Sequence, residues 1–248
     1  MDDRTPDGTA QAPVVIDVQA IAGELTAAVA AQPPRLDRVA LAIARLGDAP
    51  VADDRLVATL DGWGAAIRDR ARGSAAGGFD ALERLMVGEL DLRGDEEDYD
   101  DPRNSFLPEV LARRRGLPIL LSLVYLEVAR RAALPLFGLA LPGHFVVGYR
   151  LDGGGLVVMD PFRRAHILDR PELEALVARA GATLSPAMLA PASAHTIATR
   201  MLRNLIGSFS RRGRRDRVRA AAALVLALEP DDRAALEALA LASDEQDN

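Results

Sequence analysis

From Val14 to about Val87 the apolar positions recur at helical spacing: Ile16, Val18, Ile21, Leu25 and Val29, then Leu36, Val39, Leu41, Ala44 and Leu46. Pro33-Pro34, the stretch Asp48 to Pro50 and the small-residue tract Arg72 to Gly78 interrupt that rhythm, so the pattern predicts several short helices, with a further one over Phe79 to Leu90. The polar run DLRGDEEDYDD, Asp91 to Asp101, reads as an acidic surface connector. Pro118 to about Ala132 is different, because Ile119, Leu120, Leu121, Leu123, Val124, Leu126 and Val128 leave almost no polar face. A helix apolar nearly all round is buried at the centre of a fold, and Pro118 suits its first position, where the missing N–H costs nothing. Valine-rich runs then follow, Phe145 to Leu151 and Leu156 to Met159, bracketing Asp152-Gly153-Gly154-Gly155 as a β-hairpin. The fold class is α+β.

After Pro171, ELEALVARAGA predicts a short amphipathic helix, and Ala190 to Ser193 a linker. The remainder breaks at Gly213 and at Pro230-Asp231-Asp232 into three helices whose spacing resembles one tetratricopeptide-type unit. One such unit cannot bury its own face, so it must pack on the main domain or on a partner. The expected divisions are a disordered leader over 1–13, a helical N-terminal region over 14–98, an α+β core over 99–190 and a helical tail over 191–248.

Composition narrows the chemistry. A chain of 248 residues, 49% hydrophobic, can bury a substantial core. With no cysteine, disulfides, thiolate metal sites and a cysteine nucleophile are all excluded. Every basic side chain is arginine, and the net charge of −6 argues against nonspecific nucleic-acid binding by the surface as a whole. No apolar run has the length needed to cross a bilayer, and the first residues are acidic and polar where a signal peptide needs a basic start and an apolar centre. A cytoplasmic protein without membrane contact is expected. His166 and His195 lack ligand-spaced partners, so neither a metal nor a cofactor is expected.

Five ordered blocks carry a family resemblance: YDDPRNSFLPEVLARRRGLPI (Tyr99 to Ile119), YLEVARR (Tyr125 to Arg131), LPGHF (Leu141 to Phe145), MDPF (Met159 to Phe162) and RMLRNL (Arg200 to Leu205). Over roughly Phe79 to Asp232 the chain resembles the SirB family of transglutaminase-like proteins with a C-terminal tetratricopeptide-like tail. That resemblance implies a papain-related core over 99–190, with the histidine and aspartate of a catalytic triad on His144 and Asp160. It places the nucleophilic cysteine position on Pro118 or a neighbour at the helix start, and proline is no nucleophile. The expected function is a non-catalytic binding or regulatory module meeting a protein partner through the cleft or the helical tail, with Asn104, Arg115, Pro118 and Tyr125 in its binding surface. The competing reading is a hydrolase or amide-processing enzyme with His144 as general base, Asp160 as its orienter, and water or Ser122 as the attacking group.

Each constellation also has a structural reading. His144 and Asp160 serve equally as a hydrogen-bonded tie between two strands. Ser122 lies one turn beyond Pro118, about 5 Å along the helix, and a serine there commonly bonds back to a carbonyl. Asn104 or Ser105 is expected to cap the helix that follows. Arg113, Arg114 and Arg115 either bind a carboxylate or phosphate or form a solvated face paired with Glu109. Arg211, Arg212, Arg214, Arg215, Arg217 and Arg219 either dock an acidic partner or line a solvated turn.

Overall fold

The computed structural model describes residues 16–71, 73–151 and 153–243. The leader expected over 1–13 lies outside the described residues. Helices α1 (Val18–Ala30) and α2 (Leu36–Ala44) are separated by the proline pair. Helix α3 (Asp53–Ala71) places Asp53 and Asp54 in its first turn and Arg68 and Arg70 in its last, each sign opposing the helix dipole's own. Helix α4 (Ala75–Glu83) begins inside the small-residue tract, capped by Ser74, and runs into a π-helical segment over Arg84–Glu89. Two residues, β1 (Arg93–Gly94), pair in parallel with β2 (Arg115–Gly116), enclosing a 3₁₀ turn over Pro102–Ser105 and helix α5 (Leu107–Arg113).

Helix α6 (Pro118–Arg131) is the expected central helix, with every residue from Pro118 to Ala129 buried. It packs on α2, α3 and α5 and on the sheet formed by β3 (Phe137–Leu141), β4 (His144–Arg150), β5 (Leu156–Asp160) and β6 (His166–Leu168). The strands are antiparallel in chain order. Alternation along β4 and β5 divides the side chains between two cores. Phe145, Val147 and Met159 join the main core with α6, whereas Val146 and Val158 join Leu139, Leu141 and Leu168 beneath Leu173 and Val177 of α7 (Arg170–Arg179).

The tail comprises α8 (Ala194–Arg211), α9 (Arg215–Leu228) and α10 (Arg233–Ser243). It packs on the chain itself, with α8 and α9 both against α1 and α8 also against α2 and α6. One apolar core runs from Ile21 to Ala242, across the expected divisions at 98/99 and 190/191. Among the described residues no helix is long and apolar enough to cross a membrane.

Two charge clusters lock these layers. Arg131 at the end of α6 is 6% exposed and bonds Asp37, Glu127 and Asp61. Burial alone would raise the Asp37 carboxyl, but hydrogen bonds from Arg35 and Arg131 outweigh it and hold the pKa at about 2. The arginine-rich turn is the second cluster. Arg211 pairs with Asp100, Arg212 with Asp98, and Arg214 and Arg217 with Asp48. The turn expected to meet solvent or an acidic partner thus spends these guanidiniums on the chain's own carboxylates, which fasten the tail to the acidic connector and the α2–α3 loop. That connector is only partly a surface loop. Asp95 and Asp101 are buried, and Asp95 holds Arg113 at 2.7 Å.

Candidate functional site

Leu141 and His144 face each other across the turn Pro142-Gly143, where proline followed by a glycine at φ 70° meets the demand of a type II turn. That turn sets His144 at the first position of β4. Arg200 of α8 fixes it from outside, donating to the Leu141 carbonyl at 2.6 Å while its guanidinium stands 5.8 Å above the Phe145 ring. Burial lowers the Arg200 pKa.

Asp160 ends β5 and is fully buried, and its carboxylate is held at both oxygens. Oδ1 accepts from the Phe162 amide at 3.0 Å, and Oδ2 lies 2.9 Å from His144 Nε2. The His144 side chain is 15% exposed. In the neutral tautomer whose Nε2–H donates to the carboxylate, Nδ1 is the ring's acceptor. Phe162 presents its ring edge-on to His144 at 6.0 Å and to Tyr99 at 5.9 Å, making a short aromatic column in which Tyr99 is the exposed end.

Ser122 is not part of this arrangement. It is fully buried, and its hydroxyl donates to the Phe145 carbonyl at 3.3 Å, tying α6 to β4. The expected nucleophile and the expected back-bond to its own helix are both corrected: the chain uses the hydroxyl across elements and seals it from solvent. Pro118 is buried at the first position of α6. Tyr125, expected in a binding surface, is fully buried too, and its hydroxyl has no hydrogen-bond partner among the described residues. Burial raises its pKa.

Asn104 is neither cap nor exposed lining. It is fully buried, donates to the Asp98 carbonyl at 2.7 Å, accepts from Arg113 at 3.1 Å, and its own carbonyl accepts from the Leu117 amide at 3.0 Å. It braces the chain entering α6. The capping role falls to Asp101, which accepts from the Arg103 amide at 2.9 Å, while Phe106 precedes α5 without a side-chain cap. Arg113 therefore pairs with Asp95 in place of the expected Glu109. Arg115 alone of the expected binding residues reaches an open surface, half-buried beside a cavity of 400 Å³ that Phe162 also lines.

A family model described as the transglutaminase-like superfamily matches residues 54–203, more than half of the chain. The chain belongs to the transglutaminase-like superfamily. A UPF0162 protein of Xylella fastidiosa (strain 9a5c) is 39% identical over 168 residues, 65% of this chain and 59% of the relative. A UPF0162 protein of Vibrio cholerae is 32% identical over 157 residues, 62% of this chain and 58% of that one. F-box only protein 21 of Mus musculus is 30% identical over 142 residues, 54% of this chain but 22% of that longer protein. The chain thus spans less than two thirds of the length of these relatives. No solved structure matches it.

Within this transglutaminase-like chain the structure joins His144 to Asp160 and leaves Ser122 and Tyr125 in the core. Sequence reasoning assigned no role in the site to Phe162, Tyr99 or Arg200 individually, although each stands inside one of the five blocks that carried the resemblance. His166 and His195 are each held by a glutamate, Glu172 at 2.8 Å and Glu229 at 3.0 Å. Among the described residues no group of three or more His, Asp or Glu side chains is placed to hold a metal ion.

Proposed function

We propose that this transglutaminase-like chain, whose motifs resemble those of the SirB family, is a non-catalytic binding module of the cytoplasm. It reads a protein segment at the surface around His144, Phe162 and Tyr99. The observation that carries the reading is a dyad without a nucleophile. His144 and Asp160 keep a hydrogen-bonded geometry, yet the chain has no cysteine and its nearest hydroxyl on α6 is sealed against Phe145. Covalent acyl transfer needs a nucleophile within hydrogen-bond reach of its base, and Ser122 already spends its proton on a backbone carbonyl.

What remains at His144 is recognition: an acceptor at Nδ1, an aromatic edge from Phe162 and an exposed phenol on Tyr99. The tetratricopeptide-like tail serves as scaffold, because Arg200 positions the turn that presents His144 and the helices bury their apolar faces on α1 and α2. The test is a thermal-shift and NMR titration with peptide and small-amide libraries, run beside His144→Ala. Binding lost in the variant, with no product formed, supports the module. Binding that ignores the substitution removes His144 from it.

A further inference from the structure

A groove lined by Phe162 gathers four arginines, with Glu96 and Glu97 beside them. β1 and β2 are in register with Arg93 opposite Arg115, and like charges directly across a strand pair repel. Arg163 and Arg164, on the turn that follows Asp160, line the same 400 Å³ cavity. The backbone brings the groups close. Gly94 lies against the Phe162 ring so tightly that an added Cβ would stand 2.5 Å from it, so the turn is pressed onto β1.

Only part of this positive charge is answered from within. Asp91 bridges Arg93, at 2.5 Å, and Arg164. Asp91 and Arg164 both adopt left-handed backbone, at φ 51° and 54°, a conformation that costs side-chain-bearing residues energy. Among the described residues no carboxylate forms an ion pair with Arg115 or Arg163, although Arg163 helps to lower the Glu172 pKa from a distance and the exposed Glu96 and Glu97 line the same cavity.

We infer that this groove is a carboxylate-binding subsite, and that the segment read by the module is an acidic peptide whose side chains enter between Arg115 and Arg163 while a neighbouring residue meets His144. The inference rests on the binding-module reading and adds its ligand class. Asp91 shows the chemistry at work, a carboxylate shared by guanidiniums from two elements, and guanidinium forks match carboxylates bidentately. An incoming carboxylate would offset the positive charge of Arg115 and Arg163. RNA is the poorer fit, since stacking platforms are missing from the groove apart from Phe162, whose ring is already packed on Gly94.

The experiment titrates the full chain with capped hexaglutamate, capped hexaglutamine, inorganic phosphate and oligouridylate, using wild type, Arg115→Gln, Arg163→Gln and His144→Ala. Arg163 is exposed, so its variant reports on binding even where Arg115→Gln disturbs the strand pair. Hexaglutamate should bind best, each arginine variant should weaken it about tenfold, and affinity should fall as ionic strength rises towards 1 M, where screening reaches about 3 Å. Equal binding of the two peptides, tighter binding of phosphate or oligouridylate, or indifference to both arginine variants would overturn the inference. If peptide binding in those cases still required His144, the binding-module reading would stand without its acidic preference. If no peptide bound at all, both would fall together.

Discussion

The two ends of α6 place charge in opposite ways. At the C-terminal end Arg131, Asp37 and Glu127 are all withdrawn from water and Arg131 bonds both carboxylates, with Asp61 closing the fork from outside. Before the N-terminal end Arg115 faces Arg93 across a strand pair and lines a groove with Arg163 and Arg164, where Asp91 supplies one carboxylate to two of the four guanidiniums. The first cluster closes on itself and holds helices together. The second is an open groove that Phe162 also lines, where four arginines outnumber Asp91, Glu96 and Glu97, and that excess of positive charge is where an external carboxylate has something to gain.

The largest break in that contrast comes from Arg131→Ala. It removes one of two arginine partners from each of two buried carboxylates, leaving Arg35 on Asp37 and Arg130 on Glu127, and should cost about 2–3 kcal/mol in chemical denaturation, while Arg115→Gln should shift stability by less than about 1 kcal/mol. Similar losses for both would erase the distinction between a structural and an open cluster.

Acid sharpens it next. Folding lowers the Asp37 pKa to about 2, so the unfolded chain binds that proton more tightly and the stabilisation is present above the ordinary carboxylate range. On the order of 2 kcal/mol should be lost as pH falls from about 4 towards 2. Asp37→Asn should flatten this part of a stability–pH curve, and an unchanged slope would count against the hub.

Smaller effects separate packing from recognition. Tyr125→Phe removes a buried hydroxyl that has no partner among the described residues, so thermal melts should show no loss and a gain of up to about 1 kcal/mol, with peptide binding unaltered. A drop in binding would return Tyr125 to the site. At the bottom of the range, Arg212→Gln breaks an exposed pair with Asp98 and should cost at most about 1 kcal/mol, an effect that fades with added salt.

The sequence made α6 legible because a helix without a polar face has only one place to go, and it made the hairpin legible because valine runs flanked a glycine tract. The pairing of His144 with Asp160 followed from the family resemblance, and the structure puts the two at hydrogen-bond distance. Other parts left weak signals. β3 reads FGLAL, a short apolar run without alternation, and the two-residue strands β1 and β2 are too brief for any periodicity. Charge pairing was the hardest to read, since Arg212 meets Asp98 and Arg131 meets Asp37 across 114 and 94 residues of chain. For the same reason the arginine-rich turn looked available when its carboxylates were simply distant in sequence. Asn104 was misplaced because its role, bracing Leu117 and Arg113 together, needs three segments to meet.

The central claim is recognition without turnover, and mass spectrometry tests it most directly. Wild type and His144→Ala would be incubated with peptides carrying glutamate, glutamine and lysine, and the peptide masses followed over time. The account predicts that no peptide changes mass with either protein, although wild type binds them. A mass change from amide hydrolysis or cross-linking that requires His144 would contradict it and restore an enzyme.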